Sequence, residues 1–311
     1  MPRSRYNRIT RSDSVAELPP FMSAPELLGA NLQGRELILD PILASNSIAL
    51  LYGPRGLGKT FVALGIAWAV AGGGSFLGWT ADRPRRVLYV DGEMAAVDLQ
   101  KRLRLLGSAP PTLQFLIADL GNRSLPDLGY VEGQLRLKDA WDDPALVVFD
   151  NLASLVGVKT GDADCWNELQ RFLLIQRRHG RAMLLVHHAN KQGLQRGTNR
   201  REDVLDLVMA LKRPADYQPS DGARFELHFE KARGLFGEAA YPIEARLETD
   251  GVGVARWSWQ PLQLGELERV AALLKAGLNP NQVARELGIS KSQSYRLRER
   301  AVGMGLVGGT S

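Results

Sequence analysis

The run Gly53-Pro54-Arg55-Gly56-Leu57-Gly58-Lys59-Thr60 follows the apolar stretch Ile48-Ala49-Leu50-Leu51-Tyr52 and leads into a helical pattern from Phe61 onward. That is the spelling and the strand-to-helix setting of a phosphate-binding loop. Glycines at 53, 56 and 58 let the backbone turn tightly and aim its N–H groups at anionic oxygens, and the following helix turns its positive dipole end to the same place. Lys59 is placed to reach the β- and γ-phosphates of a nucleoside triphosphate, and the Thr60 hydroxyl to meet Mg2+. The candidate nucleotide-binding residues are therefore Gly53, Pro54, Arg55, Gly56, Leu57, Gly58, Lys59, Thr60 and Phe61. The alternative is a chance glycine-rich turn ahead of a helix.

A chain of 311 residues has room for two domains. Its 45% hydrophobic and 23% charged residues are those of an ordinary globular protein. The single cysteine, Cys165, excludes an intramolecular disulfide and a cysteine-built metal site, as suits a reducing compartment. The longest apolar stretch, 61–71, is shorter than the roughly 20 residues of a membrane span, and the N-terminus has no apolar signal core. The expected location is the cytoplasm, with no membrane partner. The net charge of +5 is unevenly placed, with basic clusters in the first residues (Arg3, Arg5, Arg8, Arg11) and in 291–300. That asymmetry points to polyanionic partners at the two ends, while for the tail disorder and a transit peptide stand as alternatives.

Apolar β-type runs recur at 86–90, 113–118, 145–149 and 182–186, with helical patterns between them at 95–106, 131–141 and 165–179. Strands alternating with helices predict an α/β fold, a mostly parallel twisted sheet with helices on both faces. After Asn190 the pattern changes to strands at 204–212, 223–230, 241–248 and 252–259 joined by short turns, read as an antiparallel extension of that sheet. From Leu264 the character is helical. The expected organisation is a basic tail at 1–23, an ATPase-type core at 24–260 and a small all-α domain at 261–311.

Four strand ends carry chemistry beyond the phosphate loop. Leu146-Val147-Val148-Phe149-Asp150 ends in an aspartate at the sheet edge where α/β folds bind ligands, so Asp150 joins Thr60 as a candidate Mg2+ residue. Val87-Leu88-Tyr89-Val90-Asp91-Gly92-Glu93 places Glu93 where a base orients water against a γ-phosphate; the alternative is that Asp91 and Glu93 cap the next helix. Leu184-Leu185-Val186-His187-His188 ends in two imidazoles, candidates for sensing the γ-phosphate or for a packed structural role. Lys231 and Arg233 share one side of a strand end, either to act on a neighbouring subunit's nucleotide or as a solvated pair.

Taken in order, Gly53 to Thr60, Asp91-Gly92-Glu93, Asp150-Asn151, Gly161-Asp162-Ala163-Asp164, His187 to Lys191, Arg196-Gly197-Thr198 and Lys231-Ala232-Arg233-Gly234 resemble the RecA-like ATPases of the plasmid replicative helicase group, whose best known members are the hexameric RepA-type helicases. The resemblance covers about residues 25 to 250. It implies ATP and Mg2+ as cofactors, with Lys59 and Thr60 on phosphate and metal, Glu93 as catalytic base and Asp150 as the Walker B aspartate. It further implies His187 and His188 as the γ-phosphate sensor region, and Arg233, with Lys231 beside it, as a finger across a subunit boundary. A homo-oligomeric, hexameric ring on single-stranded DNA is the implied assembly, with a primase or initiator as further partner. The loops at 156–167 and 190–201 would face the channel, where Lys191, Arg196, Arg200 and Arg201 fit phosphate contact.

The C-terminal segment is a departure from the small plasmid helicases. Residues 281–298 read as a helix-turn-helix, with Val283, Ala284 and Leu287 as the apolar face, Gly288 in the turn and Ser290 as cap of a second helix. Lys291, Ser292, Gln293, Tyr295 and Arg296 lie early in that helix, where side chains reach duplex DNA; the alternative is a protein-packing module. Three functions follow from the sequence: a DNA-driven ATPase motor of a plasmid, phage or integrated element acting in replication, an ATP-switched DNA-binding regulator, or a recombination or partner-loading ATPase with no unwinding of its own.

Overall fold

A computed structural model describes residues 21–32, 34–121, 125–156, 163–188, 204–249 and 254–307. These fall in two compact units, one within Met1–Gly34 and the other Arg35–Ser311. Among its described residues the first holds one short helix, α1 (Ala24–Gly29), set by a capping box in which the Ser23 hydroxyl accepts from the Glu26 N–H and the Glu26 carboxylate accepts from the Ser23 N–H.

The second unit is built on a nine-stranded sheet. In chain order its strands are β3 (Ile48–Gly53), β6 (Val87–Asp91), β7 (Leu113–Ile117), β8 (Leu146–Asp150), β9 (Ala182–His188), β10 (Leu207–Lys212), β11 (Arg224–Ala232), β12 (Ile243–Thr249) and β13 (Ala255–Pro261). Their spatial order is β13-β12-β11-β10-β3-β9-β8-β6-β7. The strands from β10 to β7 are parallel, and β11, β12 and β13 add an antiparallel edge. This matches the predicted α/β architecture with one difference: the strand expected at 204–212 to open the antiparallel extension lies parallel to β3 and belongs to the core. Eighteen residues, 189–206, separate β9 from β10, enough for the crossover that a parallel partner requires.

The central strands β3, β6 and β8 are buried along their whole length, as their largely apolar runs demand of a sheet covered on both sides. Helices α2 (Lys59–Gly72) and α3 (Ala96–Leu105) pack Val62, Ile66, Val70 and Leu99 on one face. On the other, α4 (Val131–Ala140), α5 (Leu152–Leu155) and α6 (Ala163–Arg178) supply Leu137, Leu152, Leu155, Leu169 and Leu173. Two hairpins absent from the sequence expectation complete the unit: β1 (Leu37–Leu39) with β2 (Leu43–Ala44), and β4 (Ser75–Phe76) with β5 (Trp79–Thr80). Strands of two or three residues are too short to show a period, although Leu77 and Gly78 both have positive φ, as a tight hairpin turn requires.

Beyond β13 come α7 (Leu262–Lys275), α8 (Pro280–Glu286) and α9 (Lys291–Gly303). They share a core of Leu267, Val270, Ala271, Val283, Leu297 and Ala301. Asn279 caps α8 and Ser290 caps α9, its hydroxyl accepting from the Gln293 N–H at 3.2 Å. The Ser294 hydroxyl donates to the Pro280 carbonyl at 2.7 Å and ties the two helices together. Among the described residues no helix is long and apolar enough to cross a membrane.

Candidate functional site

Register across the sheet assembles the site. Gly53 at the end of β3 lies opposite His188 of β9, and Asp91 at the end of β6 lies opposite Asp150 of β8. With β9 and β8 between β3 and β6, these residues form one row along the carboxyl edge, where open α/β sheets bind ligands. A cleft of about 540 Å3 stands over the row, walled by Lys59, Thr60, Glu93, Asp150, Asn151 and His188, with Phe61 and Arg102 on the helical side and Gly222 and Ala223 before β11.

The loop after β3 takes the shape its glycines permit. Gly56 and Gly58 have φ of 74° and 101°, in the left-handed region, and Leu57 anchors the loop with no exposed surface. A side chain at Gly53 would set its Cβ 2.8 Å from the Leu211 carbonyl oxygen, so β10 closes that side. Lys59 donates to the carbonyls of Gly53 (3.0 Å) and Pro54 (2.7 Å). Phe61 lies under the Arg102 guanidinium, 4.8 Å from its ring centre, and Arg55 is exposed at the loop tip.

Burial pulls the Lys59 ammonium down to about 8, against the opposing pull of the Asp150 and Glu93 carboxylates. The charged form is the one that binds phosphate. Affinity for a triphosphate is therefore expected to hold near pH 7 and to fall as the pH rises through about 8, read by fluorescence titration of a labelled nucleotide; a flat profile to about pH 9.5 contradicts it. The stability effect runs the other way. With the folded value below the unfolded one, the unfolded chain binds more protons between about pH 8 and 10.5, and stability rises with pH across that window.

The carboxylates differ in surroundings. Asp150 is buried, which raises its pKa, while hydrogen bonds from Tyr89 (2.7 Å) and Thr60 favour its charged form. Burial and the same carboxylate hold Tyr89 protonated, so its hydroxyl remains a donor. Asp91 accepts from the N–H groups of Glu93 (3.0 Å) and Met94 (2.7 Å) and caps the turn. Glu93 is left to face the cleft: Asn151 Nδ2 donates to its Oε2, and His188 Nε2 lies 3.1 Å from Asn151 Nδ2 and 3.4 Å from Glu93 Oε2. Of the acidic pair, Asp91 is the member that caps the turn. Burial, then the Lys59 charge, lowers the His188 pKa, so this imidazole is neutral at pH 7. The set of one exposed carboxylate steered by an amide and a neutral imidazole, across from a lysine, is able to orient a water molecule beside a phosphate.

Lys59, Thr60, Glu93, Asp150 and His188 are brought together. His187 is not: it is buried at 6% exposure, points to the other face of β9 and does not line the cleft. Lys231 and Arg233 lie at the opposite edge of the sheet, because Ala232 pairs with Leu207 and Leu207 with Ala49, at the start of β3. Four residues of β3, roughly 13 Å, separate that level from Gly53. Neither cation reaches its own chain's phosphate loop. Lys191, Arg196, Arg200 and Arg201 lie outside the described residues, as do Gly161 and Asp162. On α9, Lys291, Ser292, Tyr295 and Arg296 are exposed, whereas the Gln293 amide is turned to the Glu266 carboxylate of α7 at 3.1 and 3.3 Å.

Sequence reasoning gave no role to Asn151, Tyr89 or Arg102. Tyr89 carried a usable signal, since a tyrosine in a fully buried strand needs a partner for its hydroxyl. Asn151 and Arg102 had none, because their relation to Glu93 and Phe61 exists only in three dimensions.

Comparison with known proteins follows the same lines. A family model described as an AAA domain (AAA_25) matches residues 14–193. No curated protein is significantly similar in sequence. Similar solved structures include a KaiC-like protein of the hyperthermophilic archaeon Pyrococcus horikoshii (16% identity over 70% of this chain and 93% of that one, TM-score 0.47). The RadB recombinase (16%, 66% and 89%, 0.46) and the flagellar accessory protein FlaH of Methanocaldococcus jannaschii (11%, 70% and 91%, 0.47) are two others. The phosphate loop, the parallel sheet and the family match together establish that the chain belongs to the AAA domain family and is a P-loop ATPase.

Proposed function

We propose that this protein is an ATP-hydrolysing motor that acts on DNA, working as a ring-forming helicase in the replication of a plasmid, phage or integrated element. The observation that carries the proposal is the split of the machinery between two sheet edges: Lys59, Thr60, Asp150 and Glu93 at one, Lys231 and Arg233 at the other. A site divided in this way is completed by a second copy of the chain.

Lys59 and the N–H groups of residues 55–61 hold the phosphates. The Thr60 hydroxyl and the Asp150 carboxylate form an all-oxygen pair at the cleft, which fits Mg2+, a cation that binds through one or two protein oxygens with phosphate and water filling the rest. When bound, Mg2+ supplies positive charge to the β- and γ-phosphate oxygens. Tyr89 keeps the Asp150 carboxylate aimed and charged. Glu93 accepts the proton of the attacking water, Asn151 and His188 fix its orientation, and Arg233 of the neighbouring copy stabilises charge on the transferring phosphoryl group.

A second reading is favoured by α8 and α9, which have the order and spacing of a helix-turn-helix and expose Lys291, Ser292, Tyr295 and Arg296. On that reading the protein is an ATP-switched regulator that holds a duplex site. Replacing Lys291 and Arg296 together by alanine is expected to weaken duplex binding and to reduce the salt slope by about 2, one for each cation withdrawn from the phosphate backbone. Strand displacement separates the two readings. The motor displaces a labelled strand when supplied with ATP and stops with Glu93→Gln; site-specific duplex binding with no displacement would assign the regulator instead.

A further inference from the structure

The two ends of the sheet carry complementary surfaces. At the edge remote from the nucleotide cleft, β11 leads through Lys231 and Arg233 into the connection to β12. That connection is pinned along its length. The Arg233 N–H donates to the Asp206 carbonyl at 2.9 Å, Leu235 is buried in the core at 7% exposure, and Tyr241 packs under the Arg300 guanidinium, 5.0 Å away. Asp206 is itself held by the Ile48 N–H and by Arg35, both at 3.1 Å. From this fixed loop Phe236 projects with 82% of its surface exposed.

At the cleft edge, the Ala96 N–H donates to the Asp119 carboxylate at 2.9 Å and clamps the first turn of α3 to the short turn Ala118–Leu120 after β7. Val97, four residues beyond Glu93 of the cleft wall, and Leu120 stand 57% and 72% exposed at the two sides of this clamp.

We propose that Phe236 of one copy seats on the Val97 and Leu120 patch of a second copy and so delivers Lys231 and Arg233 to that copy's cleft. A single exposed phenylalanine is ordinary. Here it stands on a fixed loop beside two cations, and Val97 of the patch it would cover is four residues from the exposed Glu93 carboxylate, so apolar surface and charge match together. The two patches are different and lie at opposite sheet edges. The contact is therefore head-to-tail, and it continues from copy to copy into a ring or filament. This interface rests on the proposed motor only in taking the cleft as the nucleotide site.

Phe236→Asp and Leu120→Asp change exposed side chains, and retained binding of a fluorescent ATP analogue by each variant shows that its fold is intact. In the presence of Mg2+ and a non-hydrolysable ATP analogue, each variant is expected to associate about 30-fold or more weaker than the parent, the effect of removing an aromatic anchor. An equimolar mixture is expected to form two-chain species and to regain ATP turnover, because the Leu120→Asp chain keeps the Phe236 edge and the Phe236→Asp chain keeps an intact cleft edge. A parent that is a single chain, a variant that assembles as the parent does, or a mixture that recovers neither association nor turnover overturns the interface. Should Arg233→Ala stop turnover while Phe236→Asp leaves assembly intact, the interface falls and the motor stands. Should both variants dissociate while the parent hydrolyses no ATP, the motor falls and the interface stands.

Discussion

Glu93→Gln is expected to bind ATP as tightly as the parent, within about twofold, and to hydrolyse it about 10²–10⁴-fold more slowly, the range attributed to a general base. Glutamine keeps the size of the side chain and an oxygen for the Asn151 amide, so the cleft keeps its shape. It cannot take a proton from water. Equilibrium binding and single-turnover hydrolysis, measured on the same preparation, separate the two effects. Turnover within tenfold of the parent would show that Glu93 only positions Asn151 and His188, and would shift the base elsewhere.

Arg233→Ala is expected to lower turnover by about 10³–10⁵-fold with ATP binding unchanged, the effect of removing a positioned arginine finger. The chain's own nucleotide cannot be its target, since Arg233 sits beyond the start of β3 and the phosphate loop follows its end. A mixture with Glu93→Gln therefore provides a sharp check. The Arg233→Ala chain offers an intact cleft, the Glu93→Gln chain offers an intact finger, and some composite sites in the mixture hold both. Recovered turnover in the mixture is the expected result; two variants that stay inactive together would remove the finger from its proposed place.

The sequence disclosed those parts of the site that are local. A glycine-rich turn between an apolar strand and a helix is one continuous segment, and acids at the ends of apolar strands are visible wherever strands are. The Glu93, Asn151 and His188 cluster is different in kind. Its members are 58 and 37 residues apart in sequence, and they meet only because β9, β8 and β6 lie side by side in that order. Strand order is a property of the whole sheet, and no local pattern encodes it. The same limit separated the paired histidines: alternation along a strand tells that His187 and His188 face opposite ways, but only the neighbouring strands decide which way is the cleft. The parallel setting of β10 and the turn of Gln293 toward Glu266 were hidden for that reason as well.

Steady-state ATP hydrolysis, with and without single-stranded and duplex DNA and with Lys59→Ala as the blank, tests the central claim most directly. Hydrolysis well above the blank that rises with single-stranded DNA is the predicted result. Hydrolysis no greater than that of Lys59→Ala under every DNA condition would contradict it.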